Sequence, residues 1–151
     1  GIDDFTARVF GPVDTINLPS VGDFLKQGEV GWELNRNDHK APMASPVSGT
    51  VMAVNNNVGK RPEITHDDPY DAGCLLLLDP SNLELDMKKL YMGKECFQWM
   101  EKENQILLEL LGPRYERLAA TGASPVTDKF GNFPEIAWDQ LVKIFLRTKK
   151  T

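Results

Sequence analysis

Cysteine and histidine are scarce in this chain, with two of each among 151 residues. Cys74 sits in an apolar, strand-like run and Cys96 in a helix-like one; neither has a partner at metal-ligand spacing. His39 and His66 stand alone in the same way. Zinc is therefore not expected, and the cysteines read as reduced structural thiols of a cytoplasmic protein. Positive charge is also in deficit: 17 Lys and Arg stand against 22 Asp and Glu, a net charge of -5. A phosphate backbone needs a basic face, so nucleic acid is not an expected partner. Arg147, Lys149 and Lys150 gather at the C-terminus and read as a solvated tail. No apolar run approaches the roughly 18 residues of a membrane span, and no signal peptide is visible. There is no phosphate loop, nucleophile elbow or paired His/Cys/Asp constellation, so an enzyme is not expected. Asp67, Asp68 and Asp71 lack the alternating spacing and closing Glu of a calcium loop and read as loop carboxylates.

What the chain does have is enough apolar content, 41%, for one core. Its most informative stretch is 28–54. Val30, Trp32 and Leu34 alternate with smaller or polar residues, the period of a half-buried strand. Asn35 to His39 are turn formers or tolerate tight backbone, so a hairpin tip is expected at Asn37, Asp38 and His39. The chain then returns to a second corner, Ser45-Pro46-Val47-Ser48-Gly49, and an extended run over 50–54.

Around this stretch, Asp3 can cap a short helix that Gly11-Pro12 ends. Residues 13–18 read as a strand, 55–62 and 63–73 as polar loops, and 74–78 as a last strand covered on both faces. Helical spacing then takes over. A short helix is expected over 83–91 and a longer one over 94–111, with Phe97, Met100, Leu107, Leu108 and Leu111 on one side and Gly112-Pro113 as its stop. Residues 122–134 read as loop. A final helix over 135–148 carries Trp138, Leu141, Val142, Phe145 and Leu146 as a packing stripe, against either this domain or a partner. Strands followed by helices give an α+β, mainly β class.

The order of these signals over 1–103 resembles the glycine cleavage H-protein family. The helix-opening Gly1-Ile2-Asp3-Asp4-Phe5-Thr6-Ala7, the Leu18-Pro19-Ser20-Val21-Gly22 turn and the Ser45-Pro46-Val47-Ser48-Gly49 corner carry the resemblance. So do the loop over 64–75 and the helical stretch over 83–101. The resemblance implies a barrel-sandwich hybrid of the lipoyl/biotinyl-carrier type with C-terminal helices. It also implies a carrier-type domain over 1–103, a helical extension over 104–151, and a first hairpin ahead of the segment matching Gly1.

In that family a lysine at the hairpin tip carries lipoate as an amide, eight positions before the proline of the Ser-Pro corner. Here that position is Asp38; counting forward from Gly31 instead gives Asn37. The nearest lysine is Lys40, drawn back along the return arm by about 6–7 Å at 3.3 Å per residue. The first reading is thus an H-protein-like, non-catalytic domain without the usual attachment lysine. It would need no cofactor and would serve protein interaction, with the tail as a docking or homodimer element. The alternative is a lipoyl carrier using Lys40, whose implied partners are glycine decarboxylase, aminomethyltransferase, dihydrolipoyl dehydrogenase and lipoate ligase.

Overall fold

A computed structural model describes residues 1–120, 128–133 and 135–148. Helix α1 (Asp4–Phe10) opens where Asp3 accepts a hydrogen bond from the Thr6 N–H at 2.7 Å, and it ends at Gly11, whose φ is 69°. A left-handed φ at a helix end favours glycine because a Cβ would clash there. The strands follow as β1 (Thr15–Asn17), β2 (Phe24–Leu25), β3 (Val30–Arg36), β4 (His39–Ala44), β5 (Gly49–Val54) and β6 (Leu76–Pro80). They form two antiparallel three-stranded sheets, ordered β1-β3-β4 and β2-β5-β6. The barrel they outline is not closed. This is the expected mainly-β barrel-sandwich architecture with helices after it.

The Ser-Pro corner joins the two sheets. Ser45 is buried and its hydroxyl donates to the Val47 carbonyl at 2.7 Å. The Gln27 N–H donates to Ser48 Oγ at 3.0 Å, and the Ser48 N–H to Asp86 Oδ2 at 2.6 Å. Gly49 closes the corner because a Cβ there would run into the Asp79 carbonyl.

Two stretches expected as loops contain short helices, α2 (Asn56–Lys60) and α3 (Ile64–Asp67). Neither has a helical pattern; one fully buried side chain, Val58, and the buried Thr65 fasten them to the body. After α4 (Leu83–Met87) comes α5 (Lys94–Ala120). Gly112 does not stop it outright: at φ 66° it breaks the helical backbone, and Pro113 starts a second helical run. Pro suits that first position, where its missing N–H costs nothing. The expected stripe on α5 is narrower than its spacing suggests. Leu107 and Leu111 are buried, whereas Phe97 is 75% exposed. No described helix is long and apolar enough to cross a membrane.

The final helix is also shorter than expected. It comprises α7 (Trp138–Leu141) and a π-helical turn, Val142–Leu146, preceded by α6 (Lys129–Asn132). Its stripe faces this chain: Trp138, Leu141 and Phe145 are buried. They share one hydrophobic cluster with Phe5, Val9 and Phe10 of α1, Leu34 and Ala41 of the hairpin, and Leu107 and Leu111 of α5.

Candidate functional site

The hairpin β3–β4 is registered Arg36↔His39, so its turn is the pair Asn37-Asp38. Asn37 takes a positive φ of 51°, which its short polar side chain tolerates. Its N–H donates to Asp14 Oδ2 at 2.5 Å. His39 is thus the first residue of β4 rather than part of the turn. The tip presents an amide and a carboxylate. Near this end Asp14 accepts from the Asn37 N–H, Asp128 pairs with Arg36, and Glu33 lies beside Lys40.

Side chains alternate along β4. His39 and Ala41 face the helices, while Lys40 faces out opposite Asn35. The Lys40 side chain is 68% exposed, and its ammonium lies 3.4 Å from Glu33 Oε1. Lys40 is therefore an accessible amine on the outer face of the return strand, two residues behind the centre of the tip.

The inner face of the same hairpin end is occupied by the C-terminal segment. Arg36 reaches Asp128 through both guanidinium nitrogens, Nη1 to Oδ1 at 2.5 Å and Nη2 to Oδ2 at 2.8 Å, and also donates to the Phe10 carbonyl at 2.8 Å. A paired fork of this kind is directional as well as charged. Gly11 makes room for it, because a Cβ there would overlap both the Asp128 carboxylate and Arg36. The His39 ring stacks on Trp138, with centroids 5.5 Å apart and planes 20° apart, and meets the Phe130 ring at 78°. The Trp138 indole N–H donates to the Lys40 carbonyl at 2.8 Å, and the Thr148 hydroxyl to the Pro42 carbonyl at 2.6 Å. Both bonds end on β4, an edge strand of its sheet.

The turn falls at Asn37 and Asp38 of the expected tip, with His39 already in β4; the C-terminal cover has no counterpart in the sequence reading. Asp128, Trp138 and Thr148 meet Arg36, Lys40 and Pro42 across 92, 98 and 106 positions of sequence, separations that periodicity does not connect. The one available signal was Trp138 itself, a large stripe residue with a polar N–H in need of an acceptor.

Proteins of known sequence and structure share this architecture. The glycine cleavage H-protein family model matches residues 1–103. A Pyrococcus abyssi protein named "Probable glycine cleavage system H protein" is 36% identical over 101 residues, covering 67% of this chain and 75% of that one. The glycine cleavage system H protein of Hydrogenovibrio crunogenus is 39% identical over 87 residues, covering 57% of this chain and 67% of its own length. A crystal structure of the H protein from Mycobacterium marinum superposes with a TM-score of 0.51 at 28% identity. That match covers 54% of this chain and 64% of the solved one. With the matched residues spanning the hairpin, the Ser-Pro corner and both sheets, the chain belongs to the glycine cleavage H-protein family.

Proposed function

We infer that this chain is a non-catalytic H-protein-like module that carries no lipoyl arm at its hairpin tip and serves as a binding or scaffold element. The observation behind this reading is the turn itself. Its two residues are Asn37 and Asp38, and neither side chain can form the amide with lipoate that the family's carrier lysine forms. The turn is held by Asp14, and the C-terminal segment packs against the strand that leaves it. A tip fixed in this way is suited to presenting a rigid acidic surface to a protein partner rather than a swinging arm.

The test is intact mass with peptide mapping of protein expressed beside an active lipoate ligase and added lipoate. An unmodified mass is expected while an authentic H protein in the same cells is modified. A lipoyl increment mapped to Lys40 would overturn the reading.

One observation favours a second reading, a lipoyl carrier using Lys40. That amine is largely exposed, and among the described residues Glu33 is the carboxylate beside it. On this reading the partners implied by the family resemblance apply: glycine decarboxylase, aminomethyltransferase, dihydrolipoyl dehydrogenase and lipoate ligase. Lys40→Arg would then abolish the increment without changing the melting temperature. Lipoylation surviving that substitution would sink it.

A further inference from the structure

Among the described residues, the buried charged side chains are those of Asp86, Glu103 and Lys129. Two of them are satisfied within the chain. Asp86 accepts from the Ser48 N–H, and Glu103 pairs with Arg147. Lys129 differs. It is only 4% exposed, and among the described residues its ammonium has no carboxylate partner. What it meets is the face of the Tyr115 ring, 4.2 Å from the centroid. Lysine is rarely buried to this degree without an anion, because an ammonium taken out of water needs acceptors. An aromatic face supplies only part of that.

Lys129 and Tyr115 open onto a cavity of about 220 Å³ between α1 and α5. Phe5, Leu107 and Leu111, all buried, form its apolar wall. Arg8 and Asn104, both exposed, line its open side. The Arg8 Nε donates to the Asp4 carbonyl at 3.2 Å, and among the described residues its guanidinium forms no ion pair. No carboxylate among the described residues lines the cavity. Asp128, next to Lys129 in the chain, is turned to Arg36 and the Gly131 N–H, and Glu103, next to Asn104, to Arg147. The cavity thus joins two cations and an amide to an apolar wall, with no internal counter-charge. Apart from Phe5 and Arg8, its lining comes from residues beyond the family match.

We propose that this cavity binds a small amphiphilic carboxylate, its head held by Lys129 and Arg8 and its apolar body against Phe5, Leu107 and Leu111. The carboxylate supplies the acceptor that the buried ammonium lacks. Guanidinium matches the planar head with paired donors. Size sets the body: an apolar cavity of about 150 Å³ takes up a benzene, so this one has room for a body of that size together with a head group. The proposal stands apart from the reading of the hairpin, since neither the tip nor Lys40 lines the cavity.

The test is titration of the isotope-labelled full chain with hexanoate, followed by amide resonances. Acetate and hexan-1-ol are the controls, lacking the apolar body and the charge. Hexanoate should bind with a Kd on the order of a millimolar, as befits so few atoms, and should shift the amides of Leu107, Leu111, Tyr115 and Lys129. Either control should bind about tenfold more weakly or worse. Acetate binding as well as hexanoate would mean a bare anion site, and hexan-1-ol binding as well would mean an apolar hole; each overturns the proposal, as does the absence of shifts at those amides. Lys129→Met replaces the buried ammonium with an apolar side chain. It should weaken hexanoate about tenfold, by loss of a charge-assisted bond, and leave hexan-1-ol unchanged. Arg8→Gln makes the same comparison from an exposed position, away from the core, and should weaken hexanoate severalfold. Hexanoate binding indifferent to either substitution overturns the proposal.

Discussion

Two residues show how single side chains set this geometry. Gly49 has no need of a positive φ; what it needs is space, because the Asp79 carbonyl occupies the place of a Cβ. Gly49→Ala forces β5 and β6 apart at Gly49↔Pro80. The expected cost is about 1–3 kcal/mol, the range for overpacking a tight site, read as a lower urea midpoint at constant slope. Asp128 does two things at once. Its Oδ1 caps α6 by accepting from the Gly131 N–H at 2.8 Å, and both its oxygens hold Arg36. It also sits at φ 60°, where Asp and Asn are tolerated better than Ala. Asp128→Ala should therefore cost more than Asp128→Asn. The alanine variant loses the cap, the backbone preference and the charge partner of a half-buried guanidinium, about 2–4 kcal/mol together. The asparagine variant keeps the cap and loses mainly the charge. Equal losses in chemical denaturation would show that the ion pair alone matters.

At the scale of elements, the parts legible in the sequence were those whose pattern is local. Alternation of Val30, Trp32 and Leu34 located the hairpin, and Ser45-Pro46 with Gly49 located the corner. Asp3 and Gly11 located both ends of α1. The short helices α2 and α3 were not legible, because Asn and Gly residues give no helical signal and a single buried contact decides the matter. The stripe 138–146 was visible as a packing face, yet its target was not. Spacing says that a face is apolar; only tertiary structure says that Trp138 lies between Phe10, His39 and Phe130. Trp138→Ala tests that coupling. It removes a buried ring and leaves the Lys40 carbonyl without its donor. A loss of about 3–5 kcal/mol is expected for a buried Trp truncated to Ala. Faster amide exchange should appear across β4 before it appears in β5. Uniform loosening of both sheets would count against a local latch.

For the whole molecule, the question is whether residues beyond the family match are an appendage or part of the core. The contacts across position 103 make one cooperative unit. Helix α5 runs continuously through position 103. Glu103 is only 3% exposed, and its carboxylate is met by Arg147 at 2.8 and 3.0 Å, beyond the π-helical turn. Phe5 of α1 packs edge-on against Phe145 with centroids 5.3 Å apart, and Phe10 against Trp138 at 5.0 Å. Cutting the chain after Glu103 would strip these partners from Phe5, Phe10 and Leu34, and would leave a carboxylate that was buried in the intact chain without its guanidinium. The apolar faces so exposed are worth about 1.5–3 kcal/mol for each large side chain returned to water, against a total stability of about 5–15 kcal/mol for a domain. The full chain should melt in one transition by both near- and far-ultraviolet circular dichroism. The shortened chain should bind a hydrophobic dye and lose its near-ultraviolet signal while keeping much of its strand content. If the shortened chain instead melts sharply within a few degrees of the full one, 1–103 stands alone and the C-terminal segment is a removable cover over the hairpin.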